Sequence, residues 1–551
     1  MRRGIATLLT LGLLFSFLLA VVLGLMLYVD LVSLPLAVAL VIVLNVVTLL
    51  VSPRVNDLIY GWLYDVEWVD PEEFRRRSPA SMDVVDEVTT EYDYATPKLG
   101  IIPDRNPTAF TYGSGRYNAR IVVTEGCFEY LEDDELASVV AHELGHITSR
   151  DFIIMTLANT VVQILYLVAV NSMKVAQSAG ANRSSSASSK GNPAQALAIV
   201  GAVAYVLWFF SEYAVLYLSR TREYAADAFA AEYADADDLS MSLIKIALGL
   251  VESEDDPELL KATRNIGITS VEESKQKGIV YHNTREHDDM APLLQALLFD
   301  LVSPWAHLLE IQSTHPLTGK RVRRLSERAV DSRFDFADIR ERFPVDRRRL
   351  YTEFLRDLLV LSLPALLAVG FPLAYFGAVL ADTLAFSWFT LVGGWLVAVG
   401  LAMLLNALYR YSRGEPEETT VLELLTDVYA SPVDGKRVVL SGELIGRGTA
   451  GYRFSEDLMF QDDTGLMYLK YDSWLPLLGD FLFSVREVPG LIGDSVTVEG
   501  WYFRATSPWT GLRRLQAGDC TIKGFVHLGS YAGAALLITL GCIVLGVSTV
   551  V

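Results

Sequence analysis

Seven stretches of this chain contain no Asp, Glu, Lys or Arg, and nothing else in it limits the fold as much. They are residues 4–29, 31–53, 152–173, 191–211, 358–381, 383–409 and 524–551, each 21 to 28 residues long. About 20 apolar residues cross the hydrocarbon core of a bilayer. One such run reads equally well as a buried core helix; seven in one chain read as a multi-pass membrane protein. The first run follows Arg2 and Arg3. It is too long for a signal-peptide core and lacks a clear cleavage site, so we expect an uncleaved anchor. The charge lies elsewhere: 46 Lys and Arg against 66 Asp and Glu, a net of −20, in a chain that is 52% hydrophobic. This segregation excludes a single soluble globule, a disordered chain and a basic nucleic-acid binder.

Orientation follows from Lys and Arg. Arg54, Arg75, Arg76, Arg77, Lys98, Arg105, Arg116, Arg120 and Arg150 separate the second and third runs, and 220–356 is also rich in Arg. The N-terminus and the large loops are therefore expected in the cytoplasm. Cys127, Cys520 and Cys542 are far apart and form no C-x-x-C, so neither a disulfide framework nor a cysteine zinc site is expected.

Residues 413–523 read as β-rich. Strands are expected at 437–445, 458–461, 466–471, 495–503 and 512–522, with Asp462-Asp463-Thr464-Gly465 as a hairpin turn. Five short strands of this kind suggest an OB-like barrel. Such barrels often bind nucleic acid, but 413–523 holds 11 basic and 17 acidic residues, 11 − 17 = −6. A phosphate-binding face needs clustered cations, so a protein-contact or structural module is the better expectation and no nucleic-acid partner is expected.

The chemistry-bearing motif is His142-Glu143-Leu144-Gly145-His146. Glu132, Asp133, Asp134 and Glu135 precede it as a helix start suited to the N-terminal dipole. His142 and His146, four apart, share a helix face, and Glu143 lies beside them. Two imidazoles can hold zinc while a neighbouring carboxylate takes a proton from metal-bound water. With seven His in 551 residues, chance supplies roughly 0.01 matches to H-E-x-x-H. A third ligand is sought on the far side of the next two spans. The third run leaves the motif's side of the membrane and the fourth returns just before Glu223 and Asp227, which are again four apart. Glu223 can be the third ligand and Asp227 can orient a ligating His. His282 and His287 with Asp288 and Asp289 could mimic a metal site, but the polar stretch 253–290 reads as a loop. Asn182-Arg183-Ser184 fits a glycosylation triplet in the Ser-rich segment 181–189. Cys127 reads as core.

Three motifs in order, His142 to His146, Ser219-Arg220-Thr221-Arg222-Glu223-Tyr224-Ala225-Ala226-Asp227, and Ser313-Thr314-His315-Pro316 followed by Arg321, resemble the HtpX-type membrane zinc metalloproteases. CAAX prenyl proteases are more distant relatives. The likeness covers roughly residues 1–330. It implies one zinc held by His142, His146 and Glu223, Glu143 as general base, and places for His315 and Arg321 near the reacting centre. Asn106, Ala109 and Phe110 resemble the substrate-aligning edge strand, with Pro107-Thr108 as an insertion. The expected fold is mainly α, a multi-pass zincin-like protease with an added β-rich module. Its expected parts are two spans in 1–53, a protease domain in 54–350 with spans near 152–173 and 195–218, a hairpin of spans in 351–410, the module 413–523, and a last span in 524–551. The expected activity is zinc-dependent hydrolysis of membrane or misfolded proteins at the cytoplasmic face of the cell membrane, with peptide substrates and the bilayer as partners. CAAX-type processing and a catalytically silent scaffold are the competing readings. The acidity fits a halophilic prokaryote, where a salt-rich cytosol favours acidic surfaces.

Overall fold

The computed structural model describes residues 33–181, 193–252, 290–447, 457–476, 478–505 and 508–548. The first apolar run, the triplet at Asn182 and the His282/His287 group lie outside them. Among the described residues, six helices are long and apolar enough to cross a membrane: α1 (Leu34–Leu63), α3 (Asp151–Ala181), α4 (Pro193–Tyr233), α7 (Arg347–Leu380), α8 (Trp388–Arg410) and α10 (Leu528–Ser548). Their large apolar side chains, such as Val43, Leu50, Leu157, Phe210, Leu373 and Leu536, are exposed rather than packed against protein, which water would not tolerate over such lengths. The bent helix pair Ala291–Val302 and Pro304–Glu310, with a 71° break, passes the same length and composition test. It differs physically: Leu293, Leu294, Leu297, Leu298 and Phe299 are already buried within the protein.

The chain divides into two units. Unit one runs to residue 278 and takes in 308–335; unit two holds 279–307 and 336–551. In unit one, strands β1 (Glu67–Val69), β2 (Lys98–Ile102), β3 (Ala109–Gly113) and β4 (Ala119–Thr124) form a sheet in the order β1-β2-β4-β3. β4 runs parallel to β2 and antiparallel to β3, which leaves β3 at the edge. One face of the sheet packs on helix α2 (Asp133–Thr148) through Leu99, Ile121, Val123, Val139, Val140 and Leu144. Thirteen of the sixteen residues of α2 are buried, so it is a core helix with little solvent face. Its start is held by a reciprocal cap in which the Glu132 N–H donates to Glu135 Oε2 at 2.9 Å. Lys245, on α5 (Ala236–Glu252), neutralises the buried Glu135 at 2.7 Å. Helix α6 (Thr318–Ser326) completes the unit.

In unit two, β5 (Lys436–Arg447), β6 (Leu458–Asp462), β7 (Gly465–Lys470), β8 (Ser495–Phe503) and β9 (Trp509–Ala517) close into a ring. β5 pairs with β6, β6 with β7, β7 in parallel with β9, β9 with β8, and β8 back with β5. The first eight residues of β5 serve β8 and its end serves β6, with a register shift between Leu444 and Gly446 where it bends. Helix α9 (Leu478–Arg486) lies in the connection from β7 to β8. Val438, Leu440, Phe460, Leu469, Val498 and Leu512 fill the interior. This is the OB-like order. The expected strand 512–522 is instead a hairpin: β9 ends at Ala517 and β10 (Cys520–Lys523) returns beside it. Gly518, at φ +53°, makes that turn, a conformation few other residues accept.

Candidate active site

The site is built where α2 crosses α4. Gly145 lets them approach: a Cβ there would lie 3.1 Å from Ala226 Cα and 3.3 Å from the Phe229 side chain. That contact sets Glu223, one turn before Ala226, opposite the His pair. Helix α4 is unbroken from its membrane stretch to Tyr233, so Glu223 and Asp227 belong to the same helix as the span. Sequence reasoning had put them just beyond it.

His142 Nε2 and His146 Nε2 stand 3.2 Å apart. Glu223 Oε2 lies 3.7 Å from the first and Oε1 3.6 Å from the second. One donor atom from each of the three residues falls within 4.8 Å of the others, and all three residues are buried or nearly so. Behind them, Asp227 Oδ1 is 3.0 Å from His142 Nδ1 and Asp151 Oδ2 is 2.6 Å from His146 Nδ1. Asp151 accepts from His146 Nδ1–H and Asp227 stands beside His142 Nδ1, an arrangement that favours the tautomers whose Nε2 lone pairs face one another and Glu223. Converging lone pairs with no proton donor among them are stabilised by a cation, and two imidazoles with a carboxylate are the donor types of a zinc site. Glu143 is 1% exposed, and its Oε2 has no hydrogen-bond partner among the described residues. These residues fit a divalent metal with a carboxylate free to serve a reactant.

Burial pulls both imidazoles down. At His142 it wins; at His146 the Asp151 hydrogen bond and the charges of Glu223 and Glu143 outweigh it. Burial pushes the Glu143 carboxyl up to about 8. Burial opposes the charge of Arg321, but Asp227 and Glu223 hold its guanidinium above the usual range. The Arg321 Nε and Nη2 donate to the two oxygens of Asp227 at 2.9 and 2.6 Å. His315 Nδ1 is 3.1 Å from Glu223 Oε2, and the buried Nε2 of His315 has no hydrogen-bond partner among the described residues. The turn before α6 is fixed by Ser313, whose Oγ donates to the His315 carbonyl at 2.8 Å. Cys127 is core, its thiol pushed up to about 12 by burial.

Ala109 and Phe110 lie on edge strand β3, whereas Asn106 precedes it, with its N–H donating to Asp104 Oδ1 at 2.8 Å. Sequence reasoning missed what holds β3. Asp57, near the end of α1, accepts from Tyr112 Oη at 2.8 Å and from Arg120 Nε and Nη2 at 2.9 and 2.8 Å. Tyr60 packs against the rings of Phe110 and Tyr112, with centroids 5.2 and 5.4 Å away. It also missed Asp151 and its second partner, Arg222 Nη2 at 2.8 Å. The signal was present: an acid opening an apolar run, five residues past His146.

The sequence profile described as Peptidase family M48 matches residues 76–329. A protein named Protease HtpX homolog from Methanothermobacter thermautotrophicus is 31% identical over 202 residues, covering 36% of this chain and 69% of that protein. Another of the same name from Pyrobaculum aerophilum is 29% identical over 294 residues, 52% of this chain and 75% of that protein. Among solved structures, S. mikatae Ste24p aligns over 58% of this chain and 65% of that one at 15% identity, with a TM-score of 0.36, too loose a likeness to carry function. With the profile spanning the His helix, Glu223 and Arg321, and relatives of this likeness, the chain belongs to peptidase family M48 as an HtpX-like membrane protease.

Proposed function

We propose that the chain is a zinc-dependent endopeptidase that cuts membrane or misfolded proteins at the cytoplasmic surface of the cell membrane. One observation carries this reading: the donor atoms of His142, His146 and Glu223 lie within 4.8 Å of one another beside the unpartnered, buried carboxylate of Glu143. His142, His146 and Glu223 would hold the metal. The chemistry a bound zinc supplies is Lewis acidity toward the scissile carbonyl and the attacking water. Glu143 would accept the proton of that water and return it to the leaving amine. Asp227 and Asp151 orient the two imidazoles, and Arg321 holds Asp227 in place. His315 Nε2 is available to donate to the oxygen that gains charge. An extended peptide adds beside Phe110 to β3, the last strand of the sheet, through main-chain hydrogen bonds, which give affinity with little sequence preference.

The position at the membrane surface is supported by the short step from α2, ending at Thr148, to α3, starting at Asp151. The cytoplasmic side rests on the Lys and Arg distribution, and a halophilic host on the net charge of −20. The test compares wild type with Glu143→Gln on casein and on a membrane-protein substrate, with and without chelator. Wild type should cleave only when zinc is present, and the variant should be slower by roughly 10³-fold or more. Equal rates for both on every substrate sink the reading.

A further inference from the structure

The connection from β7 to β8 leaves large apolar side chains in the open. Trp474 is 65% exposed and Leu478 63%, and Leu475, Phe481 and Leu482 are exposed beside them. On α9, Leu478, Phe481, Leu482 and Val485 stand at i, i+3, i+4 and i+7, so one whole helix face is apolar and uncovered, while Phe483 and Ser484 are buried on the other. The segment is firmly built. The Ser473 N–H donates to Asp480 Oδ1 at 2.7 Å, the Gly479 N–H donates to the Leu475 carbonyl at 2.8 Å, and the rings of Tyr471 and Phe483 stack 3.8 Å apart. A rigid frame is holding these side chains outward.

Chain connectivity says what they face. The Phe525 N–H donates to the Asp472 carbonyl at 2.8 Å, and Phe525 comes three residues before Leu528, where α10 begins. Trp474 is therefore two residues from a bond to the foot of a membrane-length helix. The barrel is tied to its other flanking span at the same end: the Gly435 N–H donates to the carbonyl of Arg410, the last residue of α8, at 3.1 Å, and Trp501 Nε1 donates to the Ser412 carbonyl at 3.0 Å. From Trp474 to Val485 the only charged residue is Asp480, and its carboxylate is turned inward on Ser473. Charge that a protein partner could pair with is confined to Arg486 and Glu487, at the far end of α9.

We propose that Trp474, Leu475 and residues 478–482 form an interfacial anchor that beds into the headgroup–acyl boundary of the bilayer next to α10, with Trp474 at headgroup level and Leu475, Leu478, Phe481 and Leu482 below it. The anchor presses the barrel to the membrane at a third point besides α8 and α10. It goes beyond the hydrolytic reading and does not depend on it.

The test uses the full chain reconstituted in phosphatidylcholine–phosphatidylglycerol vesicles, with Cys520→Ser and Cys542→Ser in the background. A fluorophore is placed on Leu478→Cys or, in a second variant, on Phe481→Cys. The reference label is on Asp519→Cys, an exposed site in the β9–β10 turn, at the other end of β9 from Trp509. Acyl-brominated lipids should quench the labels at 478 and 481 at least about threefold more than the one at 519, and aqueous iodide should rank them in the reverse order. Labels on α9 as open to iodide as the reference, and no better quenched by bromolipid, overturn the proposal. Protection from both quenchers also overturns it, because a protein surface would then be the occupant.

Discussion

The protease unit and the barrel treat ionisable groups in opposite ways. Around the α2–α4 crossing, His142, Glu143, Glu223, Asp227, Asp151, His315 and Arg321 are all buried, and all but Glu143 lie within 4 Å of an ionisable partner. The barrel interior instead is apolar, with Leu440, Leu444, Phe460, Leu469, Val498 and Leu515; its strand ion pairs, such as Arg437 with Glu499, keep some exposure, and the buried guanidinium of Arg504, just past β8, lies over the Phe299 ring at 4.5 Å. Burying a charge costs several kcal/mol unless it is paired. In this cluster Glu143 is the group buried with no such partner among the described residues, as suits a carboxyl kept for chemistry rather than for stability. The barrel interior avoids that cost.

Four substitutions can break or sharpen this contrast, from the largest expected effect to the smallest. Glu223→Gln removes the carboxylate charge that faces both imidazoles. Purified protein should lose its bound zinc and roughly 10³-fold or more of its peptide hydrolysis, read by elemental analysis and rate. Full zinc content in an inactive variant would move Glu223 from holding the metal to another role. Gly145→Ala puts a methyl 3.1 Å from Ala226 Cα. It should push α4 off α2 and cut zinc affinity by about 10- to 100-fold, comparable with losing a residue that orients a ligand. Asp57→Asn weakens the hold on β3 without touching the His–Glu cluster. It should raise KM by about 3- to 10-fold while kcat stays nearly constant, because positioning of substrate and not proton transfer is lost. A matching fall in kcat would mean that α1 reaches the reacting groups themselves. Leu440→Ala hollows the barrel at a fully buried position. It should destabilise the barrel by about 2 to 5 kcal/mol in chemical denaturation, with hydrolysis per folded molecule close to wild type. A large loss of activity in molecules whose barrel is still folded would end the division of labour.

What could be read from the sequence follows from the range of each signal. The spans and the His142–Glu143–His146 helix are local patterns with their own periodicity, so residues a few positions apart define them. Glu223 was reachable because two consecutive spans return the chain to the surface it left. The barrel strands were legible from alternation, and the turn at Asp463 from its residue types, with Asp462 Oδ1 accepting the Thr464 N–H at 2.7 Å as such turns require. The parallel pairing of β7 with β9 was not legible, because 41 positions separate Gly511 from its partner Lys470 and neither strand marks its partner. Residues that act through others were hidden as well. Asp57 meets Arg120 from 63 positions away, and Gly145 matters only because Ala226 and Phe229 press on it. The splitting of 512–522 at Gly518 was a local signal read too lightly.

The unbroken course of α4 gives the enzyme a lever arm. From Ser211, at the end of the apolar run, to Glu223 is twelve residues, about 18 Å at the helical rise. Pivoting that rod by about 5° swings the Glu223 carboxylate by roughly 1.5 Å, several times the tolerance of a catalytic constellation. Bilayer thickness, which sets the tilt of such rods, is thereby written into the geometry of the peptide-cutting centre.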